Sequence, residues 1–356
     1  MAKVVVGMSG GVDSSVAAAI LKEQGHEVIG LFMHNWEEES EECTSVTDYE
    51  DVKRVCNKLQ IPYYTVNFAK EYLDRVFKYF VEEYSKGRTP NPDVLCNREI
   101  KFGPFLEYAK SLGADYIATG HYAKVERVNG VTRLLKAKDT NKDQTYFLNQ
   151  LNQDQLKDVL FPLGDMLKPD VRKIAEKYGF STAEKKDSTG ICFIGERRFR
   201  EFLKNYIPCK KGNIVDTKGN IVGSHDGVMY YTLGQRRGLN IGGIKDGNGD
   251  RWYVLDKDVK NNNLIVSQGE GEDLFSKALI TYKVNWIPQM PQSAEFECFA
   301  KFRYRQPDQK VKVKIIQDKV EVYFVEKQRA VTPGQYVVFY TETDCLGGGV
   351  IEEVIK

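Results

Sequence analysis

The sequence predicts an α/β amino-terminal domain built on a parallel sheet, followed by two mainly β domains, the last of them a small β-barrel. Three observations predict this. Apolar runs of strand length alternate with helix-length amphipathic segments through the amino-terminal half. From Cys209 onward the pattern changes to short strands separated by Gly, Asn and Asp turns. From Ala278, Lys310–Ile315 and Val320–Phe324 alternate polar and apolar residues, as barrel strands with one wet face do. The domains are expected over residues 1–205, 206–277 and 278–356.

Taken in order, the chain begins with an apolar strand from Lys3, breaks at Gly10-Gly11, and resumes as an alanine-rich helix through Leu21 and Lys22 that Gly25 can cap. A strand that turns sharply ahead of a helix N-terminus gathers unpaired N–H groups and the positive end of the helix dipole at one spot. Glycines there let the backbone close on a ligand, while Ser9, Ser14 and Ser15 add hydroxyls, so the pattern predicts a phosphate seat. No Gly-Lys-Ser/Thr follows the glycines, which excludes a Walker A loop. The plainer alternative is a glycine turn joining a strand to a core helix.

His26 to Met33 reads as a second buried strand, Glu37 to Glu42 as a solvated acidic loop, and then come helix Val46 to Leu59, strand Tyr63 to Phe68 and helix Lys70 to Lys86. Strict alternation implies a ligand beyond the strand C-termini, where the Ser9–Ser15 loop sits. The prolines of Gly87–Asn97 are expected to keep that segment out of a helix until near Arg98, placing Cys96 close to a helix N-terminus whose field lowers a thiol pKa. Helix Ile100 to Leu112 leads to a strand ending in Gly120-His121, where Gly120 would admit a purine or ribose and His121 would face the same crevice. Asn129-Gly130 marks a hairpin. Lys142-Asp143-Gln144 precede a helix, and Asp165 to Tyr178 forms another with Pro169 in its first turn.

Cys192 lies near Gly190 and downstream of Lys185 and Lys186, an electropositive setting that favours thiolate. Cys43, Cys56, Cys209, Cys298 and Cys345 lack such settings and read as structural. Arg236 and Arg237, in a glycine-flanked loop, read either as phosphate contacts or as a solvated turn. On a strand, Lys301-Phe302-Arg303-Tyr304-Arg305 would place three cations on one face, either a strip for an RNA backbone or an ordinary wet barrel face.

The 356 residues are 42% hydrophobic and 28% charged, an ordinary soluble composition, and the net charge of +1 gives no overall argument for nucleic acid. No apolar run approaches the ~20 residues of a membrane span. The chain opens directly on a strand, so the expected location is the cytoplasm, with no membrane partner. Seven cysteines without a Cys-x-x-Cys pair or Cys/His cluster read as reduced thiols rather than a zinc site.

Taken together, the Ser9–Ser15 loop, Asn91-Pro92-Asp93 with Cys96-Asn97, Thr119-Gly120-His121-Tyr122, and Asp187-Ser188-Thr189-Gly190-Ile191-Cys192-Phe193 resemble the tRNA-specific 2-thiouridylases, within the ATP pyrophosphatase (PP-loop) superfamily. The resemblance covers the whole chain in order, including Phe302-Arg303-Tyr304 and Thr332–Gln335. It implies an adenine nucleotide alpha hydrolase-like first domain and ATP-dependent sulfur insertion at the uridine of the first anticodon position. ATP would be held by Gly7, Met8, Ser9, Gly10, Gly11, Val12, Asp13, Ser14, Ser15, Met33 and Gly120, with Mg²⁺ on the phosphates and its protein ligands left open. Cys192 would carry the incoming sulfur as a persulfide, Cys96 would free it, and Asp93 would act as acid or base beside the target. The tRNA contacts implied are Asn91, Pro92, Asp93, His121, Lys142, Asp143, Gln144, Arg303, Tyr304 and Gln335. Implied partners are the tRNAs for glutamate, glutamine and lysine, and a persulfide-donating sulfur carrier or cysteine desulfurase. Two rivals stand beside it. An ATP pyrophosphatase acting on a small molecule leaves Cys96, Cys192 and the β-rich half unexplained, and a non-catalytic tRNA-binding or sulfur-relay protein leaves the intact phosphate loop unexplained.

Overall fold

Val4, Val5 and Val6 are wholly buried, and the strand they form, β1 (Lys3–Met8), lies at the centre of a five-stranded sheet. The computed structural model describes residues 1–36, 45–187, 199–208, 210–241 and 250–356. Around β1 the sheet has β2 (Glu27–His34), β3 (Tyr63–Asn67), β4 (Tyr116–Ala118) and, after a hairpin of β5 (Lys124–Val128) and β6 (Val131–Leu135), β7 (Val159–Leu160). The order is β3-β2-β1-β4-β7 and every pairing is parallel. Strand order reverses between β1 and β4, so a crevice opens at their carboxyl ends.

The period of two along β1 sorts the core. Val4, Val6 and Met8 pack with Val16, Val52, Val55 and Val171 of the helices Val12–Glu23 (here α1), Ser45–Leu59 and Lys168–Lys177. Val5 faces the other way, with Tyr72, Val76, Phe80, Ile100 and Phe105. A wall of helices thus covers each face of the sheet, as buried parallel strands require.

The central domain is a four-stranded sheet of β8 (Gly212–Val215), β9 (Ile221–His225), β10 (Trp252–Asp258) and β11 (Asn263–Gln268), in the order β10-β11-β8-β9. The carboxyl-terminal strands are β12 (Phe275–Tyr282), β13 (Asn285–Trp286), β14 (Glu295–Lys301), β15 (Gln309–Ile316), β16 (Lys319–Arg329), β17 (Tyr336–Tyr340) and β18 (Asp344–Ile355). Six of them close into an antiparallel barrel, β12-β16-β15-β14-β17-β18, through pairing of β12 with β18. On β15, Val311, Val313 and Ile315 point into the core while Lys310, Lys312 and Lys314 face water, the alternation expected of one wet face.

The Asn129-Gly130 hairpin forms with both turn residues at positive φ, but its partner is the barrel. Leu134 and Leu135 of β6 pair with Cys345 and Asp344 of β18, and Arg133 grips the Asp344 carboxylate from Nε (2.7 Å) and Nη2 (2.9 Å). The segment that follows Gln144 is also seated on the barrel. The Tyr146 hydroxyl donates to the Tyr336 carbonyl at 3.0 Å, and the Gln150 amide donates to the Gly348 carbonyl at 2.7 Å. First domain and barrel are therefore joined by strand pairing and by buried hydrogen bonds. No helix among the described residues is long and apolar enough to cross a membrane.

Candidate active site

The turn after β1 is carried by Gly10 at φ +72°, a conformation that disfavours any side chain. A Cβ there would lie 2.5 Å from the Asp48 carbonyl oxygen, so Gly10 also lets the turn touch the backbone of the Ser45–Leu59 helix. Gly11 is the N-cap of α1, and no side chain among the described residues caps that helix. Among the described residues only Ser9 Oγ comes within 4 Å of the Cβ position of Gly11, at 3.4 Å, and they leave space above a first turn whose N–H groups have no intrahelical partner. Gly120, just beyond β4, closes on the same turn from the sheet side, its Cβ position 2.7 Å from Ser14 N and 2.8 Å from Asp13 C. The contact Gly120 makes within the protein is thus with the first turn of α1.

The serines brace this loop. Ser14 Oγ accepts from Ser9 N (3.2 Å) and donates to the Gly11 carbonyl (3.2 Å), and the wholly buried Ser15 donates to the same carbonyl at 2.8 Å while accepting from Thr182 Oγ1 at 3.2 Å. Met8 and Val12 put their side chains into the core and Gly7 lies against Phe105, so these three offer only backbone to a ligand. Met33, partly buried, sits near the carboxyl end of β2.

A charge network surrounds the first turn. Both Asp13 oxygens accept from Lys168 Nζ at 2.8 Å, and Oδ1 also accepts from the Tyr122 hydroxyl at 2.8 Å. Lys168 reaches Asp187 at 2.8 Å, where Lys142 (2.6 Å) and Arg172 (2.9 Å) also converge. Burial works against the Asp187 charge, but hydrogen bonds from Lys142 and Lys168 outweigh it and hold the carboxyl down at about 2. Lys185 ties Asp48 and Asp51, at 2.7 Å each, to the Gly10 carbonyl at 3.0 Å. Gln144 exchanges two bonds with the Tyr122 backbone, and the buried Asp143 accepts from the N–H groups of Ala137 (2.7 Å) and Thr145 (3.3 Å); burial raises its pKa, and these bonds oppose the rise. Among the described residues no three His, Cys, Asp or Glu side chains converge to hold a metal ion.

The segment with Asp93 and Cys96 corrects an expectation. A helix runs over Pro92–Cys96 and continues through a π-helical turn over Asn97–Lys101, so it starts at Pro92 and not near Arg98. Proline suits the first helical position because its missing N–H would have no intrahelical partner there, and Asn91 Oδ1 caps the helix by accepting from Asp93 N (3.2 Å) and Val94 N (3.3 Å). Cys96 consequently sits buried at the far end of that helix, 2% exposed, and the field argument for its thiolate does not apply. Asn97 pins this end by donating to the Phe147 carbonyl at 3.0 Å.

Burial pushes the Asp93 carboxyl above the usual range, with the Lys101 charge opposing. Burial, now reinforced by Lys101, drives His121 well below its ordinary value, and its Nδ1 shares a 2.7 Å bond with Thr119 Oγ1. The Asp93 carboxyl and the His121 imidazole thus feel one cation. Cys192, Cys43 and Cys209 lie outside the described residues, as does the Glu37–Glu42 segment. Burial pushes the thiols of Cys56, Cys298 and Cys345 up to about 12, in keeping with a structural part for them.

A second correction concerns Lys301–Arg305. β14 ends at Lys301, and the chain turns because Gln306 takes the Phe302 N–H on its side chain (2.9 Å) and donates its own N–H to the Arg303 carbonyl (3.2 Å). The three cations therefore diverge. Lys301 points to Asp308 at 3.5 Å, Arg303 donates to the Ala330 carbonyl, and Arg305 lies 5.9 Å from the Tyr304 ring centre. Tyr304 packs on Phe147 with ring centres 4.3 Å apart, and Gln335 donates to the Thr89 carbonyl at 2.8 Å. Arg236 and Arg237 are exposed.

Sequence reasoning did not single out Lys168 or Arg172. A signal was present for Lys168, since a lysine in the first turn of a helix opposes the dipole and needs a carboxylate from elsewhere in the fold.

Comparison with known proteins adds to this geometry. Residues 2–196 match the family described as tRNA methyl transferase HUP domain, residues 200–268 the tRNA methyl transferase PRC-barrel domain, and residues 276–351 the aminomethyltransferase beta-barrel domain. The chain is 58% identical over 358 aligned residues to the tRNA-specific 2-thiouridylase MnmA of Alkaliphilus oremlandii, covering 99% of this chain and 98% of the relative. It is 59% identical to that of Geobacillus thermodenitrificans, covering 99% and 95%. Among solved structures, a U34-tRNA thiolase, NcsA, from Methanococcus maripaludis aligns at 20% identity and TM-score 0.36, over 57% of this chain and 63% of that one.

The charge network yields a test by pH. The Asp187 carboxyl is held below its unfolded value of 3.8, so its pairing stabilises the fold above that pH and is lost as pH falls through about 2. The shift corresponds to about 2 kcal/mol, reduced to roughly 1 by water at a partly exposed carboxylate. Asp187→Asn should lower the denaturant-unfolding free energy by at least that amount, constant from pH 8 to about 4, with the gap closing below. A gap that closes above pH 5 would contradict the pairing.

Proposed function

The chain belongs to the tRNA-specific 2-thiouridylase family, and from that premise we propose a two-stage transfer of sulfur to the wobble uridine of tRNA. In the first stage the uracil O2 attacks the α-phosphorus of ATP, the bond to pyrophosphate breaks, and Asp93 takes the N3 proton. In the second, the terminal sulfur of a persulfide on Cys192 attacks C2, the C2–O2 bond breaks and AMP leaves. Cys96, giving up its proton, then attacks Cys192 Sγ, leaving the terminal sulfur on the base and forming a Cys96–Cys192 disulfide that an external thiol must reduce.

The observation that carries this reading is the open, uncapped first turn of α1 beside the β1/β4 crevice. Its N–H groups and dipole suit the pyrophosphate, while no residue in the loop is placed as a Walker A lysine is. Asp93 supports the proton step, because burial brings its pKa toward the range in which a carboxyl both takes and returns a proton. Adenylation turns O2 into a good leaving group, which uracil lacks. Mg²⁺, when bound with ATP, would supply charge neutralisation on the phosphates. We further propose a cytoplasmic enzyme acting on the tRNAs for glutamate, glutamine and lysine, loaded by a sulfur carrier or cysteine desulfurase, with domain limits near residues 205 and 277.

Gly11→Val tests the phosphate seat. The Gly11 backbone, at φ −98° and ψ 166°, is one valine adopts readily, and among the described residues the Cβ position is open, so the variant should fold, losing only the roughly 1 kcal/mol that an apolar N-cap costs. Its side chain would fill the seat, and tRNA-dependent AMP formation should fall by about 100-fold or more. Normal turnover in a folded variant would refute the seat.

The cysteines separate the two stages. Cys96→Ser and Cys192→Ser should each lose 2-thiouridine formation, measured by nucleoside mass spectrometry, while still releasing pyrophosphate in the presence of tRNA. Cys345→Ala should retain both activities. If it instead lost thiolation as completely as Cys192→Ser while remaining folded, the cysteine assignment would be wrong.

A further inference from the structure

The segment that leads into the Asp93 helix is gripped by the barrel. Arg88 lies at the centre of the grip, its Nε 2.6 Å from Glu83 Oε2, its Nη1 bonded to Glu352 of β18, and its Nη2 donating to the Ile351 carbonyl at 3.2 Å. The next residue, Thr89, donates its N–H to the Pro333 carbonyl at 3.0 Å. Gln335 Nε2 donates to the Thr89 carbonyl at 2.8 Å and lies 3.4 Å from that of Pro90. Gly334, at φ +92°, has its Cβ position 2.9 Å from Thr89 N, so only glycine lets the barrel turn come this close. That turn is itself fixed to β18 by reciprocal bonds, Gly334 N–H to the Ile351 carbonyl (2.9 Å) and Ile351 N–H to the Gln335 carbonyl (2.7 Å). Only Asn91, the helix cap, stands between Pro90 and the first helical residue.

We propose that Arg88 and Gln335 are positioning residues, through which the carboxyl-terminal barrel sets the start of the helix carrying Asp93 and Cys96. The barrel is then a part of the modification site and not only a surface for RNA. The resemblance alone places Gln335 among tRNA contacts, but its amide is committed to the protein's own backbone. A guanidinium that donates to Glu352 and to a carbonyl from two coplanar nitrogens while its charge lies against Glu83 holds a geometry that a lysine cannot reproduce. Asp93 acts on the base only if the reading under Proposed function is right, so part of the test is independent of tRNA chemistry.

That part is amide hydrogen exchange of the full-length protein without tRNA. Gln335→Ala and Arg88→Met should speed exchange across Asn91–Asn97 by about 10-fold, leaving β1 and the barrel strands protected as in wild type. In turnover assays the same variants should lower kcat for tRNA-dependent AMP formation by about 10- to 100-fold, with KM for tRNA within about twofold, since a displaced acid or base impairs the reaction more than binding. Arg88→Lys should recover part of the kcat. Glu352→Gln, which keeps the hydrogen-bond geometry but removes the charge, should show the same pattern more weakly, and it carries the test if Arg88→Met does not fold. Unchanged exchange over Asn91–Asn97, or a rise in KM with kcat intact, would overturn the proposal and return Gln335 to a plain RNA contact. Faster exchange in the variants, with a wild-type enzyme that forms no AMP on tRNA, would uphold the clasp while refuting the reaction.

Discussion

The site depends on how closely backbone approaches backbone at the first turn of α1. Gly10 packs on Asp48 from one side and Gly120 packs on Asp13 and Ser14 from the other, at distances that exclude a Cβ. Those contacts fix the helix N-terminus at the point where the sheet order reverses, and they do so without a side-chain cap. Among the described residues the N–H groups of that turn are thereby left without a side-chain cap, as the proposed phosphate seat requires. Everything nearby follows from holding this turn still: the inward serine hydroxyls, the Tyr122 bond to Asp13, and the Gln144 bonds that hold Tyr122.

Charge pairing supplies the second layer. Lys168 is buried between Asp13 and Asp187, and the two carboxylates together compensate its charge in a poorly solvated place. The arrangement also links parts of the chain that are far apart in sequence. Asp13 belongs to the Ser9–Ser15 loop and Asp187 opens the motif that contains Cys192, so one ammonium group joins the ends of the two motifs that the proposed reaction would bring together. The barrel supplies a third layer by closing on Arg88 and Thr89 and by extending its sheet through the β5–β6 hairpin.

Much of this was legible in the sequence because it is local. The apolar run of β1, the glycine break, the Asn129-Gly130 turn and the alternation in β15 each fix their own backbone, and they formed as read. The errors arose where a residue's meaning depends on its neighbours in space. Pro92 was read as a helix breaker, but at the first helical position it begins a helix that Asn91 caps. Arg303 and Arg305 were placed on a strand by alternation alone, whereas the Gln306 side chain ends that strand at Lys301. No periodicity could show that a hairpin of the first domain pairs with β18, nor that the Gln335 amide is spent on Thr89.

The central claim is that the uracil oxygen is activated by transfer of AMP before sulfur arrives. The most direct measurement uses substrate tRNA carrying a heavy-oxygen label at O2 of the wobble uridine, incubated with enzyme, ATP and a persulfide donor. Mass spectrometry of the products then follows the label. The account predicts that it appears in AMP in proportion to the 2-thiouridine formed. Label recovered in water or retained in the modified base, with unlabelled AMP, would contradict it.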